Sequence, residues 1–156
     1  MNSIDALAHF IGPSQRHAVL SAMRGEERQF FVDKMNELAK RVQTMPKTGE
    51  TDSQGDQAIA YLHYFAGGQA SWWITETDKG CSDDPPEEKG RQHQAFGLAD
   101  LFGDGGEVGY ISIAEILENG GELDFHFEPK TLRKVRGLPD PEPPALTDAA
   151  LLALVS

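Results

Sequence analysis

Residues 71–130 read SWWITETDKGCSDDPPEEKGRQHQAFGLADLFGDGGEVGYISIAEILENGGELDFHFEPK, and this stretch decides the fold. Its first seven residues, SWWITET, combine β-branched and aromatic side chains and predict a strand. The two prolines and four acids of residues 80–91 cannot continue that strand, so we expect an exposed loop there. Residues 94–102 and 107–112 predict a further strand pair across the turn GDGG.

The rest of the stretch predicts a short helix and a last strand. Ser112 and Glu115 form a capping box at the helix start, and Gly120 ends the helix. Residues 123–127 then alternate apolar and polar side chains, which predicts a strand. Upstream, residues 58–66 predict the strand that pairs with SWWITET through the hairpin turn GGQA.

Residues 1–46 predict helices. Within GEERQFFVDKMNELAKRVQTMP the apolar side chains recur every three or four residues, which places them on one face of a helix. They are Phe31, Met35, Leu38, Val42 and Met45. This stripe spans fewer than three heptads, which favours packing on a core over a coiled-coil dimer. The sequence therefore predicts an α+β fold, an antiparallel β-sheet of about four to five strands with N-terminal helices packed on one face.

The length of 156 residues suits one domain. Residues 1–46 are its predicted helices and 47–136 its sheet core, whereas 137–156 form a Pro-rich linker and a short C-terminal helix capped by Thr147. The lone Cys81 excludes an internal disulfide framework.

The chain is acidic, with 25 acidic and 14 basic side chains and a formal net charge of −11. The excess is greatest in residues 48–90. Such a field repels phosphate, so we expect no direct binding of nucleic acid. No stretch has the length and apolar character of a membrane span or secretion signal, so we expect a cytoplasmic protein without a membrane partner.

The order of YLHYF, SWWITETD, FGLADLF, EVGYISIAEI and LDFHFEPKTL resembles a bacterial family of small proteins of unknown function. Members of that family are common in plasmid, phage and integrative-element gene neighbourhoods. The resemblance covers about residues 44–136. It implies an accessory role in a mobile element and supplies no catalytic residues.

The candidate metal ligands have no spacing that is typical of a metal site. His63, Cys81, His93 and His126 form neither a CxxC nor an HExxH pattern, so we expect no metal and no other cofactor. The glycines of 103–109 precede a predicted strand, whereas a phosphate-binding loop precedes a helix. They therefore predict a hairpin turn.

Trp72 and Trp73 occupy adjacent strand positions and face opposite sides of the sheet. The helices can cover one side. If the other side is open, one indole is a surface aromatic beside the acidic loop; if the helices or the tail cover it, both indoles are buried. The predicted binding residues are Trp72, Trp73, Glu76, Asp78, Asp83, Asp84, Glu87 and Glu88.

The leading hypothesis is a non-enzymatic acidic accessory protein of a bacterial mobile element that binds a protein with a basic surface. In one variant the acids of residues 76–88 mimic nucleic acid and inhibit a host nuclease or defence complex. The alternative is a small-molecule hydrolase or transferase that uses Glu76, Asp78 and His93. No recognisable catalytic constellation accompanies these three residues, which favours the binding hypothesis.

Overall fold

The computed structural model describes residues 2–139 and residue 141. The predicted C-terminal helix lies outside these residues. The helices are α1 (Ser3–Ala6), α2 (Pro13–Ala22), α3 (Arg28–Thr44), α4 (Ile113–Glu118) and α5 (Leu132–Val135). The strands are β1 (Ile59–Ala60), β2 (Leu62–Ala66), β3 (Ala70–Glu76), β4 (Ala95–Asp100), β5 (Glu107–Ile111), β6 (Glu122–Leu123) and β7 (Lys130–Thr131).

Five strands form one antiparallel sheet in the order β5-β4-β3-β2-β6, and β1 pairs with β7 in a separate two-stranded sheet. The two predicted hairpins, β2–β3 and β4–β5, are both present. The predicted α+β fold is confirmed. Strand β5 is an edge of the five-stranded sheet, a position that the sequence pattern did not predict.

The N-terminal helices cover one face of the sheet and form the main core. Most of the predicted apolar stripe of α3 is buried there, while Phe31 is only partly buried. The Tyr64 hydroxyl on β2 donates a 2.6 Å hydrogen bond to the Phe10 carbonyl between α1 and α2. Burial raises the pKa of this hydroxyl well above its usual value. The bond therefore joins the sheet to the helical layer and satisfies a buried polar group.

The opposite face of the sheet is covered in part by side chains from residues 127–135. Leu98 of β4 is buried in a second cluster with Phe127 and Leu132, and Trp73 packs against that cluster. Apolar cover on both faces explains why β3 can carry large side chains at adjacent positions.

The predicted strand at 123–127 is wrong beyond Leu123, because β6 ends there. The Asp124 carboxylate accepts the His126 N–H at 2.9 Å, and the Phe127 N–H donates to the Asp124 carbonyl at 3.4 Å. These bonds form an Asx-type turn, in which a side chain offers the backbone an alternative to strand pairing. The turn carries Phe127 to the second cluster.

Two glycines permit close backbone approaches in the β3–β5 region. A Cβ atom at Gly97 would lie 1.9 Å from the Trp73 carbonyl oxygen on β3. Gly106 has a φ of +71°, and a Cβ there would lie 2.3 Å from the Ala99 carbonyl oxygen. Neither position accommodates a larger residue without movement of the backbone.

Candidate functional site

Glu76, a predicted binding residue, is 1 % exposed at the end of β3. The backbone N–H groups of Gly49 and Thr51 donate to its two carboxylate oxygens at 2.8 Å, and the Thr51 hydroxyl donates a further bond. Three donors compensate for the cost of burying the carboxylate. Glu76 therefore fixes the loop of residues 47–51 against the sheet and is not accessible to a partner.

Asp78 is partly buried and shapes the start of the acidic loop, which we define as residues 78–93. Its two carboxylate oxygens accept the Gly80 N–H at 2.7 Å and the Gln94 N–H at 3.0 Å. The Asp78 N–H donates to the side chain of the buried Gln92 at 2.7 Å. These bonds connect the two ends of the loop, so Asp78 has a structural role as well as its charge.

The acidic loop surrounds a cleft of 310 Å³. Several predicted residues line this acidic cleft: Asp78, Asp84, Glu88 and His93, together with Cys81 and Arg91. Most are held by internal bonds, since Asp84 accepts the Cys81 N–H at 2.9 Å and Glu88 lies 2.9 Å from His93 Nε2 and 3.3 Å from Arg91 Nη1. The cleft is thus mixed in charge, and its acids are largely paired.

Two acids of the loop differ from the others. Asp83 and Glu87 are exposed, and within residues 2–139 and 141 they take part in no side-chain hydrogen bond or ion pair. Both side chains are therefore accessible from solvent. The structure therefore separates the six predicted acids into a buried one, three with internal partners and two that project into solvent.

The two tryptophans lie apart from the acidic loop's cleft. Trp72 packs against the main core and Trp73 against the second cluster, and both are partly buried. The Trp73 ring stacks on His63 at a centroid distance of 5.0 Å. Neither indole lines the acidic cleft. Of the two alternatives, the structure is nearer to the one in which both faces of β3 are covered, since each indole packs against one of the two clusters.

The residues of the alternative enzymatic hypothesis are not assembled into one site. Asp78 and His93 line the acidic cleft, whereas Glu76 does not. Within the described part of the chain, no group of three or more His, Cys, Asp or Glu side chains is arranged to hold a metal ion. His63 instead has other partners: its Nδ1 lies 3.0 Å from Asp124 Oδ2 and its Nε2 lies 3.1 Å from Ser71 Oγ. Cys81 is exposed and free.

The exposed edge of the sheet is a second candidate site that the sequence pattern did not mark as one. Its apolar side chains are unusually exposed for their size: Leu101 48 %, Phe102 74 %, Val108 44 % and Tyr110 69 %. They line a groove of 640 Å³, which we call the β5 groove. The alternation of EVGYI indicated that Val108 and Tyr110 share a face, but only the strand order shows that this face lies at an edge.

The turn before β5 is built by one carboxylate. The Asp100 side chain accepts backbone N–H groups from Phe102, Gly103, Asp104 and Gly105. Desolvation alone raises the pKa of Asp100, but these four donors lower it overall. The turn is therefore held by hydrogen bonds to a charged group, and it presents Phe102 at its outer side.

Comparison with protein-family models, with curated proteins and with solved structures gave no match. Among the described residues, no helix combines the length and the apolar character needed to cross a membrane.

Proposed function

We propose that this chain is a non-enzymatic binding protein that captures a protein partner with a basic surface through the acidic loop. The observation that carries the proposal is the state of Asp83 and Glu87, which are exposed and unpaired within the described residues. Neighbouring acids are satisfied by bonds within the chain. Free carboxylates attract an oppositely charged surface and raise the rate of association, most strongly at low salt.

The negative net charge of the whole chain also favours a partner with a basic surface. The formal net charge is −11, so a basic protein is attracted from a distance before the loop makes contact. Lys79, Lys89 and Arg91 lie within the same loop and reduce its local charge. The partner that we propose therefore needs a broad basic surface rather than a single deep cationic pocket.

The setting that we propose is an accessory role in a bacterial mobile element, and it rests on the resemblance of residues 44–136. The inhibitory variant adds that the partner is a nuclease or defence complex whose basic groove holds nucleic acid. In that variant the chain and nucleic acid compete for one groove. A competition experiment therefore separates it from binding at some other basic surface.

Three immobilised chains test the proposal: wild type, the double variant Asp83→Asn/Glu87→Gln, and the control Glu26→Gln/Glu27→Gln. The control removes two acids that are also exposed, at the start of α3. We expect wild type and control to retain one stoichiometric bacterial partner at low ionic strength. The loop variant should not retain that partner, and high ionic strength should release it from wild type and the control.

Equal retention by the loop variant and the control would contradict the proposal. A bound metabolite in the purified chain, with no retained partner, would favour the hydrolase or transferase instead. Release of the retained partner by double-stranded DNA would support the inhibitory variant, and its persistence would contradict that variant alone.

A further inference from the structure

The β5 groove is an apolar surface at an open sheet edge. Strand β5 pairs with β4 on one side only, and its exposed side chains include two aromatic rings, Phe102 and Tyr110. Tyr110 packs edge-on against Phe96 of β4, with 5.5 Å between ring centroids. Proteins rarely leave an apolar edge of this kind uncovered, because it recruits other chains.

The last continuously described residues, 137–139, lie close to this groove. Helix α5 ends in a Schellman motif, in which the Leu138 N–H donates to the Arg133 carbonyl at 2.9 Å and the Gly137 N–H to the Lys134 carbonyl at 3.0 Å. The Arg133 side chain also donates to the Pro139 carbonyl at 2.9 Å. These bonds hold residues 137–139 against the end of α5.

The exit point and the β5 groove are neighbours. Leu138 lines a cleft with Trp73 and Leu98, and this cleft shares Asp104 and Gly106 with the β5 groove. The residues after Pro141 include a proline pair, and an extended Pro-rich segment spans about 3.1 Å per residue. Four steps at this rise, from Pro141 to Ala145, correspond to about 12 Å, which exceeds the spacing of about 4.8 Å between adjacent strands.

The sequence that follows matches the groove in chemistry. Residues 145–155 read ALTDAALLALV and carry a single charge, at Asp148. Beside its two acids, Asp104 and Glu107, the groove is lined by exposed apolar side chains, against which the leucines of the segment can be buried. A second copy of the chain would bring the same two acids and a further net charge of −11.

We propose that the β5 groove is the docking site of the chain's own C-terminal segment, residues 145–155, bound within the same molecule. The leucines of that segment bury their side chains against Phe102, Val108 and Tyr110. The contact covers the open edge and leaves the acidic loop free, so this inference does not depend on the proposed function.

Hydrogen exchange of the β5 backbone tests the docking in the full-length chain. We compare wild type, the triple variant Leu151→Ser/Leu152→Ser/Leu154→Ser, and the control Leu20→Ser, which replaces an exposed leucine on α2. We expect amides 107–111 to exchange at least about tenfold faster in the triple variant than in wild type and the control. Equal rates in all three chains would contradict the proposal.

A spin label distinguishes docking within one molecule from exchange between molecules. Cys81 is the chain's single cysteine, so Cys81→Ser/Ser156→Cys gives one labelling position. We expect the label to broaden the amide signals of β5 in an isotope-labelled chain. The same broadening in a mixture of spin-labelled and separately isotope-labelled chains would show contact between molecules and overturn the intramolecular proposal.

Discussion

Side chains at the end of β3 and at the edge strand β5 differ in their exposure to solvent in the opposite sense to their polarity. Glu76, a charged residue, is 1 % exposed at the end of β3, whereas Phe102 and Tyr110 beside β5 are 74 % and 69 % exposed. The difference lies in the surroundings. Three hydrogen-bond donors surround Glu76, while no described element covers β5 on its outer side.

Unsatisfied side chains, more than acidic ones, mark the surfaces of this molecule that can bind a partner. Acidic residues alone do not mark an interaction surface, because a carboxylate with enough donors becomes part of the core. The informative residues are those whose chemistry is unsatisfied: the free carboxylates of Asp83 and Glu87 and the uncovered apolar side chains at β5. The predictions below test this contrast.

Removal of the buried Glu76 carboxylate should have the largest effect on stability. We expect Glu76→Ala to lower the free energy of unfolding by about 3–4 kcal/mol, because it leaves two backbone N–H groups and a hydroxyl without their acceptor. Denaturant titration measures the change. The matched control, Glu87→Ala, should change the free energy by no more than about 0.5 kcal/mol. Similar losses for both variants would show that Glu76 is an ordinary surface acid.

The glycine pair Gly97 and Gly109 compares the interior of the sheet with its edge. The two residues face each other across β4 and β5. We expect Gly97→Ala to cost about 3 kcal/mol, because the new Cβ meets the Trp73 carbonyl oxygen. Gly109→Ala should be nearly neutral, because a Cβ added there would have no atom within 4 Å beyond its chain neighbours. Thermal and denaturant unfolding measure both. A tolerated Gly97→Ala would contradict the close approach of β3 and β4.

Tyr64 and Tyr110 allow a comparison between a buried and an exposed hydroxyl group, with a smaller expected effect on stability. Tyr64 is fully buried and donates to the Phe10 carbonyl, whereas Tyr110 is exposed. Loss of the hydroxyl in Tyr64→Phe should destabilise the protein by about 1–2 kcal/mol, since the buried carbonyl loses its donor. Tyr110→Phe should leave the unfolding free energy within about 0.5 kcal/mol of wild type. Equal effects would mean that the hydroxyl of Tyr64 is solvated.

The smallest expected effect is that of Asp124 on the pH dependence of stability. Burial alone raises the pKa of Asp124, but hydrogen bonds from the His63 ring and the His126 N–H lower it overall. A lowered carboxyl pKa contributes stability above the unfolded pKa of about 4, and this contribution is lost as pH falls through the folded value.

We therefore expect Asp124→Asn to flatten the loss of stability between neutral pH and about pH 3. Because Asp124 is partly exposed, the flattening should be about 1 kcal/mol or less. Urea titrations at several pH values measure it, and Asp83→Asn provides the exposed control. A steeper acid loss in Asp124→Asn than in wild type would reverse the expected sign.

Much of the fold could be predicted because its signals are local. The stripe of α3, the hairpin turn before β3 and the cap of α4 at Ser112 each lie within a few residues of sequence. The strand at 123–127 failed because Asp124 turns the backbone, a choice that its side chain makes with nearby N–H groups. Strand order depends on contacts between distant residues, so the exposed edge at β5 had no local signal.

The candidate site was predicted less well for the same reason. The sequence identified an acidic loop, and the structure gathers Asp78, Asp84 and Glu88 around one cleft. The sequence could not separate Glu76 from these acids, because its donors come from residues 49–51, far away along the chain. It also could not decide the environment of Trp73, which depends on a cluster that includes Leu132.

The central claim is that the two unpaired acids of the acidic loop, rather than exposed acids elsewhere on the chain, engage the partner. Association kinetics of the retained partner test it most directly, with Asp83→Asn/Glu87→Gln compared against Glu26→Gln/Glu27→Gln, which has the same net charge. At low salt we predict a clearly lower association rate constant for the loop variant alone and similar dissociation rate constants for both. Identical association rates for the two variants would contradict the claim.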